Sequence, residues 1–127
     1  MDIKENKDEV IEKKEDPKIT YDDFKKVEIK IGKILEVEVV EDADKLLKLK
    51  VDLGEEEPRQ ILSGIREYFE DPQSLVGKKC PFVTNLAPRT IRGFESDGMI
   101  AAASDKENGT FSLLEVSDDI SPGSHVS

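Results

Sequence analysis

The sequence predicts an all-β fold: a five-stranded barrel with a short helix between strands three and four and a small C-terminal β extension. Three observations carry that expectation. Apolar and charged residues alternate over residues 27–39 and 47–53, the period of two expected of a half-buried strand. Gly32 interrupts the first run, where a long strand in a small closed barrel must bend. The later apolar runs are short and separated by turn chemistry.

Residues 1–18 hold 12 charged side chains of mixed sign and end at Pro17-Lys18. So charged a segment cannot bury a core, so a disordered or frayed-helical tail or linker is expected over 1–18 and the folded domain over 19–127. Thr20, with Asp23 three residues on, reads as an N-cap opening a short helix through Lys26. In the first strand Val27, Ile29, Ile31, Leu35, Val37 and Val39 fall on odd positions, with Glu28, Lys30, Glu36 and Glu38 between them. Gly32 and the out-of-phase Ile34 mark a bend or bulge. The second strand is the most regular: Leu47, Leu49, Val51 and Leu53 alternate with Lys48, Lys50 and Asp52. Residues 54–58 form a turn, and 59–65 a third strand broken at Gly64. Pro72 to Gly77 reads as a short helix, with proline in its first turn and glycine closing it. Residues 80–86 and 98–103 are the fourth and fifth strands, and Asn108-Gly109 turns the chain into the run Phe111–Val116. Asn108-Gly109-Thr110 also matches a glycosylation sequon, which carries no weight without a secretory signal. Short strands with one small helix between the third and fourth indicate a barrel of the OB type.

Charge is segregated along the chain. The net charge is −10, from 29 acidic and 19 basic residues. Residues 72–94 contain no Asp or Glu and carry Lys78, Lys79, Arg89 and Arg92, so the other 104 residues carry −14. A local basic face on an acidic body fits a polyanionic partner, whereas the overall charge argues against non-specific nucleic-acid coating and an anionic membrane surface. A gap in acidic residues around a helix and two strands is the plainer explanation of the same stretch. No apolar run approaches membrane-spanning length and the N-terminus is charged rather than apolar, so a cytoplasmic, reducing setting is expected.

Catalysis is disfavoured by elimination. The one cysteine, Cys80, sits in the apolar run Cys-Pro-Phe-Val, as a buried inert thiol would. The one histidine, His125, lies three residues from the end, which leaves no zinc cluster and no nucleophile–base pair. There is no glycine-rich phosphate loop. Asp42 and Asp44 read as a polar turn rather than a cation site. Neither cofactor nor metal is expected.

Four segments together resemble one family: residues 23–32 (DFKKVEIKIG), 43–54 (ADKLLKLKVDLG), 59–65 (RQILSGI) and 85–99 (NLAPRTIRGFESDGM). They resemble the tRNA-binding OB-fold domain, found at the C-terminus of bacterial methionyl-tRNA synthetases, as a free-standing structure-specific tRNA-binding protein, and in a eukaryotic synthetase-complex cofactor. The resemblance covers about residues 20–127. Asp71-Pro-Gln and Asn85-Leu-Ala-Pro-Arg look closest to the bacterial synthetase branch. It implies an RNA-facing surface at Lys30, Lys33, Ser63, Asn85, Arg89, Arg92, Ser96 and Met99. It also implies tRNA as partner, a homodimer paired through the N-terminal helix region and the C-terminal extension, and association with the catalytic region of methionyl-tRNA synthetase. Lys30 stands where the family usually has arginine, and Thr90 where a second basic residue commonly follows Arg89. Both departures imply weaker phosphate contact.

Those residue types suit folded RNA, which is read through phosphates, 2′-hydroxyls and shape. Arg89 and Arg92, three apart in a loop bounded by proline and glycine, can reach neighbouring phosphates. Lys30 and Lys33 flank the glycine bend. Asn85 has the donors and acceptor for a base edge or ribose hydroxyl. Ser96 can donate to phosphate or sugar, and Met99 can pack on an exposed base. Each has a structural alternative: core filler for Met99, a locally bonded hydroxyl for Ser63, a backbone clamp for Asn85, a loop anchor for Phe94 and a solvated strand face for Lys48 and Lys50. Five Phe, two Tyr and no Trp give little support to a binder that stacks successive bases. A second function stays open: a dimeric, chaperone-like module that binds unfolded polypeptide, which needs an exposed apolar groove instead of a basic patch.

Overall fold

The computed structural model describes residues 17–127, so the expected tail lies, for residues 1–16, outside the described residues. Helix α1 (Tyr21–Lys25) opens on the expected cap. The Thr20 side chain accepts from the Asp23 amide and the Asp23 carboxylate accepts from the Thr20 amide, a reciprocal capping box.

The barrel strands are β1 (Ile29–Val39), β2 (Leu47–Asp52), β3 (Arg59–Ser63), β4 (Lys79–Val83) and β7 (Met99–Ile100). They run β3-β2-β1-β4-β7, all neighbours antiparallel. The two ends of this path meet: β7 packs on β3, and the Asp97 amide donates to the Gln60 carbonyl at 2.9 Å. The result is a nearly closed five-stranded, OB-like barrel. Two single 3₁₀ turns, Arg66–Tyr68 and Pro72–Leu75, lie between β3 and β4. The second stands where a short helix is expected, capped by Asp71 and plugging the barrel with the fully buried Leu75. Among the described residues no helix is long and apolar enough to cross a membrane.

β2 follows its alternation without exception, with Leu47, Leu49, Val51 and the following Leu53 at most 1% exposed. β1 does not. The core side is set by Gly32 and Ile34: a methyl on Gly32 would stand 2.5 Å from Val51 Cγ1 and 2.9 Å from Phe82 Cδ1. A register shift between Ile34 and Glu36 then returns the core phase to Val37. Ile29 and Ile31 therefore share the outer face. Ile31 is buried apart from the main core, its amide donating to the Ser124 carbonyl at 2.8 Å and its carbonyl accepting from the Gly123 amide at 2.7 Å. The bend or bulge expected at Gly32 and the out-of-phase Ile34 is thus present: Ile34 is the inward residue, and the slip at Leu35 is the bulge.

The fifth strand also differs from expectation. It divides into β7, inside the barrel, and β8 (Ala102–Asp105), which leaves to pair with β9 (Thr110–Leu113). Residues 101–103 are all alanine, so beyond Ile100 little apolar area holds the chain to the core. The Asp105 carboxylate accepts from the amide and side chain of Asn108 and fastens the turn. Phe111 stacks on Tyr68 at 4.2 Å and meets Phe69 edge-on at 5.9 Å, fastening this hairpin to the 3₁₀ segment. The chain ends in β10 (His125–Val126) against β1. Cys80 is buried in the core, and burial pushes its thiol up to about 11.

Candidate nucleic-acid interface

The segment around Arg89 and Arg92, read as a loop bounded by proline and glycine, is a second small sheet: β5 (Arg89–Ile91) pairs with β6 (Phe94–Ser96). Its tip has two residues, Arg92 at φ 53° and Gly93 at φ 85°, both left-handed as a primed hairpin turn requires. Arg92 thus occupies a position that costs a non-glycine residue about 1 kcal/mol, and the hairpin holds it there. Three contacts fix the hairpin to the barrel. The Gln60 side chain donates to the Glu95 carbonyl at 2.9 Å. The Ser96 hydroxyl accepts from the Leu62 amide at 2.9 Å and donates to the Gly98 carbonyl at 3.3 Å. The Lys48 ammonium sits 4.3 Å above the Phe94 ring while pairing with Glu38 at 3.1 Å.

This geometry sorts the eight expected residues. Arg89 and Met99 are exposed and line one shallow depression at the end of the barrel, with Leu86, Ala87 and Ile91 completing its wall. Met99 is 49% exposed, so it is not core filler. Ser96 borders the same depression but is 5% exposed, with its hydroxyl bonded on both sides. Asn85 is likewise engaged: its side-chain oxygen accepts from the Glu28 amide at 2.8 Å and its amide donates to the Lys26 carbonyl at 2.6 Å, clamping the α1–β1 junction. Arg92 is exposed on the far side of the hairpin, over the β1–β2 loop. Lys30 and Lys33 are half-buried on β1, and strand alternation puts them on opposite faces. Ser63 ends β3 opposite Leu47. Arg89, Met99 and Ser96 are brought together, and the other five are spread around the barrel.

The cations of the acid-free stretch also divide. Lys78 pairs with Glu115 at 3.2 Å, and Lys79 donates to the carbonyls of Asp118 and Ile120 at 2.8 and 2.7 Å. Both fasten the C-terminal segment. Arg89 and Arg92 form no ion pair among the described residues. Arg59 is structural: its guanidinium makes a two-pronged bond to Glu55 and donates to the Thr84 carbonyl at 2.7 Å, and Glu55 raises its pKa further. The Thr84 hydroxyl donates to Glu28 at 2.6 Å and holds that carboxyl below the usual carboxylate range. Among the described residues, no group of three His, Cys, Asp or Glu side chains could hold a metal ion. The residue that sequence reasoning passed over is Leu86, 45% exposed beside Arg89. Its signal was a large apolar residue set directly between Asn85 and the Ala87-Pro88-Arg89 turn.

Residues 29–125 match the family model described as "Putative tRNA binding domain". The methionine–tRNA ligase of Lactococcus lactis is 50% identical over 111 residues, which are 87% of this chain and 16% of that protein. The chain therefore spans about a sixth of the curated relatives it matches. The crystal structure of a MetRS-related protein from Pyrococcus horikoshii superposes with a TM-score of 0.81 at 36% identity, covering 87% of this chain and 99% of that one. The CsaA chaperone protein from Picrophilus torridus superposes with a TM-score of 0.75 at 31% identity, covering 87% and 100%. Family match, sequence relatives and barrel agree: the chain belongs to the tRNA-binding domain family, a non-catalytic binding module related to the C-terminal region of methionyl-tRNA synthetases.

Proposed function

We propose that residues 19–127 act as one module that binds folded tRNA by shape and serves, or forms part of, a cytoplasmic methionyl-tRNA synthetase. The observation that carries this reading is the pairing of Arg89, exposed and without an ionic partner among the described residues, with the half-exposed Met99 at one depression of a family-matched barrel. In this reading Arg89 and Arg92 meet phosphates, and Met99 and Leu86 pack on a base or sugar. Lys30, Lys33 and Ser63 extend the contact along the barrel, while Asn85 and Ser96 hold its frame. Few phosphates are neutralised, so affinity is modest, with a log–log salt slope of roughly −0.7 to −0.9 per phosphate. The module works as a homodimer. Support comes from Ile19, Tyr21 and Phe24 around α1, which are 66%, 72% and 41% exposed, with Ile120 and Val126 exposed in the C-terminal segment.

The test is a gel-shift titration at low salt with folded tRNA, competed by the same RNA melted and by single-stranded RNA of equal length. Selective binding of the folded form, abolished by Arg89→Ala with Arg92→Ala, is the expected result. Binding that survives the double change refutes the site. The second reading, a dimeric chaperone-like or dimerisation module, is favoured by those same exposed apolar residues and by the superposed chaperone. Strong apolar-dye binding by the folded protein, with no tRNA shift at low salt, selects it.

A further inference from the structure

Arg92 stands in an acidic setting, unlike Arg89. It lines two adjoining depressions, one walled by residues 42–46 and the other by residues 38–41 with Lys48 and Phe94. Glu41, Asp42 and Asp44 are exposed, and none forms an ion pair among the described residues. Lys45 is the one cation within the loop at 41–46, leaving it at −2. Glu38 and Lys48 neutralise each other. The loop cannot swing aside freely. Ala43 is buried, its amide donates to the Val40 carbonyl at 3.3 Å, and the Lys45 carbonyl accepts from the Arg66 amide at 3.1 Å. Asp42 at φ 64° and Arg92 at φ 53° are the two non-glycine residues with left-handed backbone among those described, and both line the same depression.

A phosphate arriving at Arg92 must therefore enter the field of three carboxylates that line the same two depressions and form no ion pair among the described residues. The carboxylates do not pair with the Arg92 guanidinium, but their field offsets its positive charge and repels an incoming phosphate. Resting on the tRNA-binding reading above, we propose that the Glu41–Asp44 loop is a built-in competitor that weakens phosphate binding at Arg92 and leaves Arg89 as the dominant phosphate contact. The loop thereby sets the affinity of the module and polarises its RNA face toward the Met99 side of the hairpin.

The test compares the full chain with a Glu41→Gln, Asp42→Asn, Asp44→Asn variant, titrating folded tRNA by fluorescence anisotropy at several salt concentrations. Asparagine tolerates the left-handed backbone at position 42, so the fold is kept. A control variant, Glu56→Gln, Glu57→Gln, Glu67→Gln, removes the same charge from exposed positions that line neither depression. The loop variant is expected to bind about three- to tenfold tighter at low salt, the difference shrinking as salt screens the field. Adding Arg92→Ala to the loop variant should remove most of that gain. The inference is overturned if wild type binds and the loop variant binds no tighter, if the control variant gains as much, or if the gain survives Arg92→Ala. Failure of every variant to bind tRNA refutes the tRNA-binding reading itself, and the inference falls with it.

Discussion

Replacing Ser96 with alanine separates a frame residue from an RNA contact. On one side β3 pairs with β2, but toward β6 it has no continuous strand partner at Leu62, and the Ser96 hydroxyl takes that place at 2.9 Å. Both residues are 5% exposed. Alanine removes the acceptor and leaves the Leu62 amide buried without a partner. An orphaned buried donor costs about 1–3 kcal/mol. For a domain of this size that lowers the melting temperature by roughly 4–12 °C. Urea unfolding followed by circular dichroism should show a lower midpoint at unchanged slope, and the Leu62 amide should exchange its hydrogen faster. Well below the transition, tRNA affinity should change by less than about twofold, since no charge is lost. A variant with wild-type stability and tRNA binding weakened about tenfold (~1.4 kcal/mol) would refute the reasoning and make Ser96 a direct RNA contact.

Two further predictions concern the barrel. Gly32→Ala would drive a methyl to within 2.9 Å of Val51, Leu53 and Phe82, all of which are fully buried. Overpacking of this kind costs about 1–3 kcal/mol in denaturant unfolding, and a loss under about 0.5 kcal/mol would show that the barrel wall yields. The Glu28 carboxyl, whose pKa is depressed chiefly by the Thr84 hydroxyl, contributes stability above its unfolded value near 4.5 that is lost as pH falls through the folded value. Thr84→Val removes that bond, so the stability gap between wild type and variant should narrow on acidification through the carboxylate range. A gap independent of pH sinks this assignment.

Much of the fold is legible because its signals are local. The alternation of β2, the capping box at Thr20 and the Asn108-Gly109 turn each depend on residues within a few positions of one another, and each lies where the sequence put it. The phase of β1 was legible only in part: Gly32 and the out-of-phase Ile34 marked the bulge, but not which residues face the core before it. Gly32 carries no apolar signal although it faces the core, and Ile31 looks like core although the C-terminal segment buries it. The β5–β6 hairpin was hidden because Arg92-Gly93 replaces the usual turn dipeptide, and strands of three residues are too short to show a period.

The candidate site follows the same division. Composition and motif alone determined that Arg89 and Arg92 belong to a segment free of acidic residues within an acidic chain, with Met99 just beyond it. Only tertiary structure decided that Lys78 and Lys79 are committed to the C-terminal segment, that Ser96 and Asn85 bond the backbone, and that Arg92 faces the acidic loop while Arg89 does not. Charge and alternation are properties of neighbours along the chain. Which charge meets which partner depends on residues dozens of positions apart, brought within hydrogen-bonding distance only when the barrel closes.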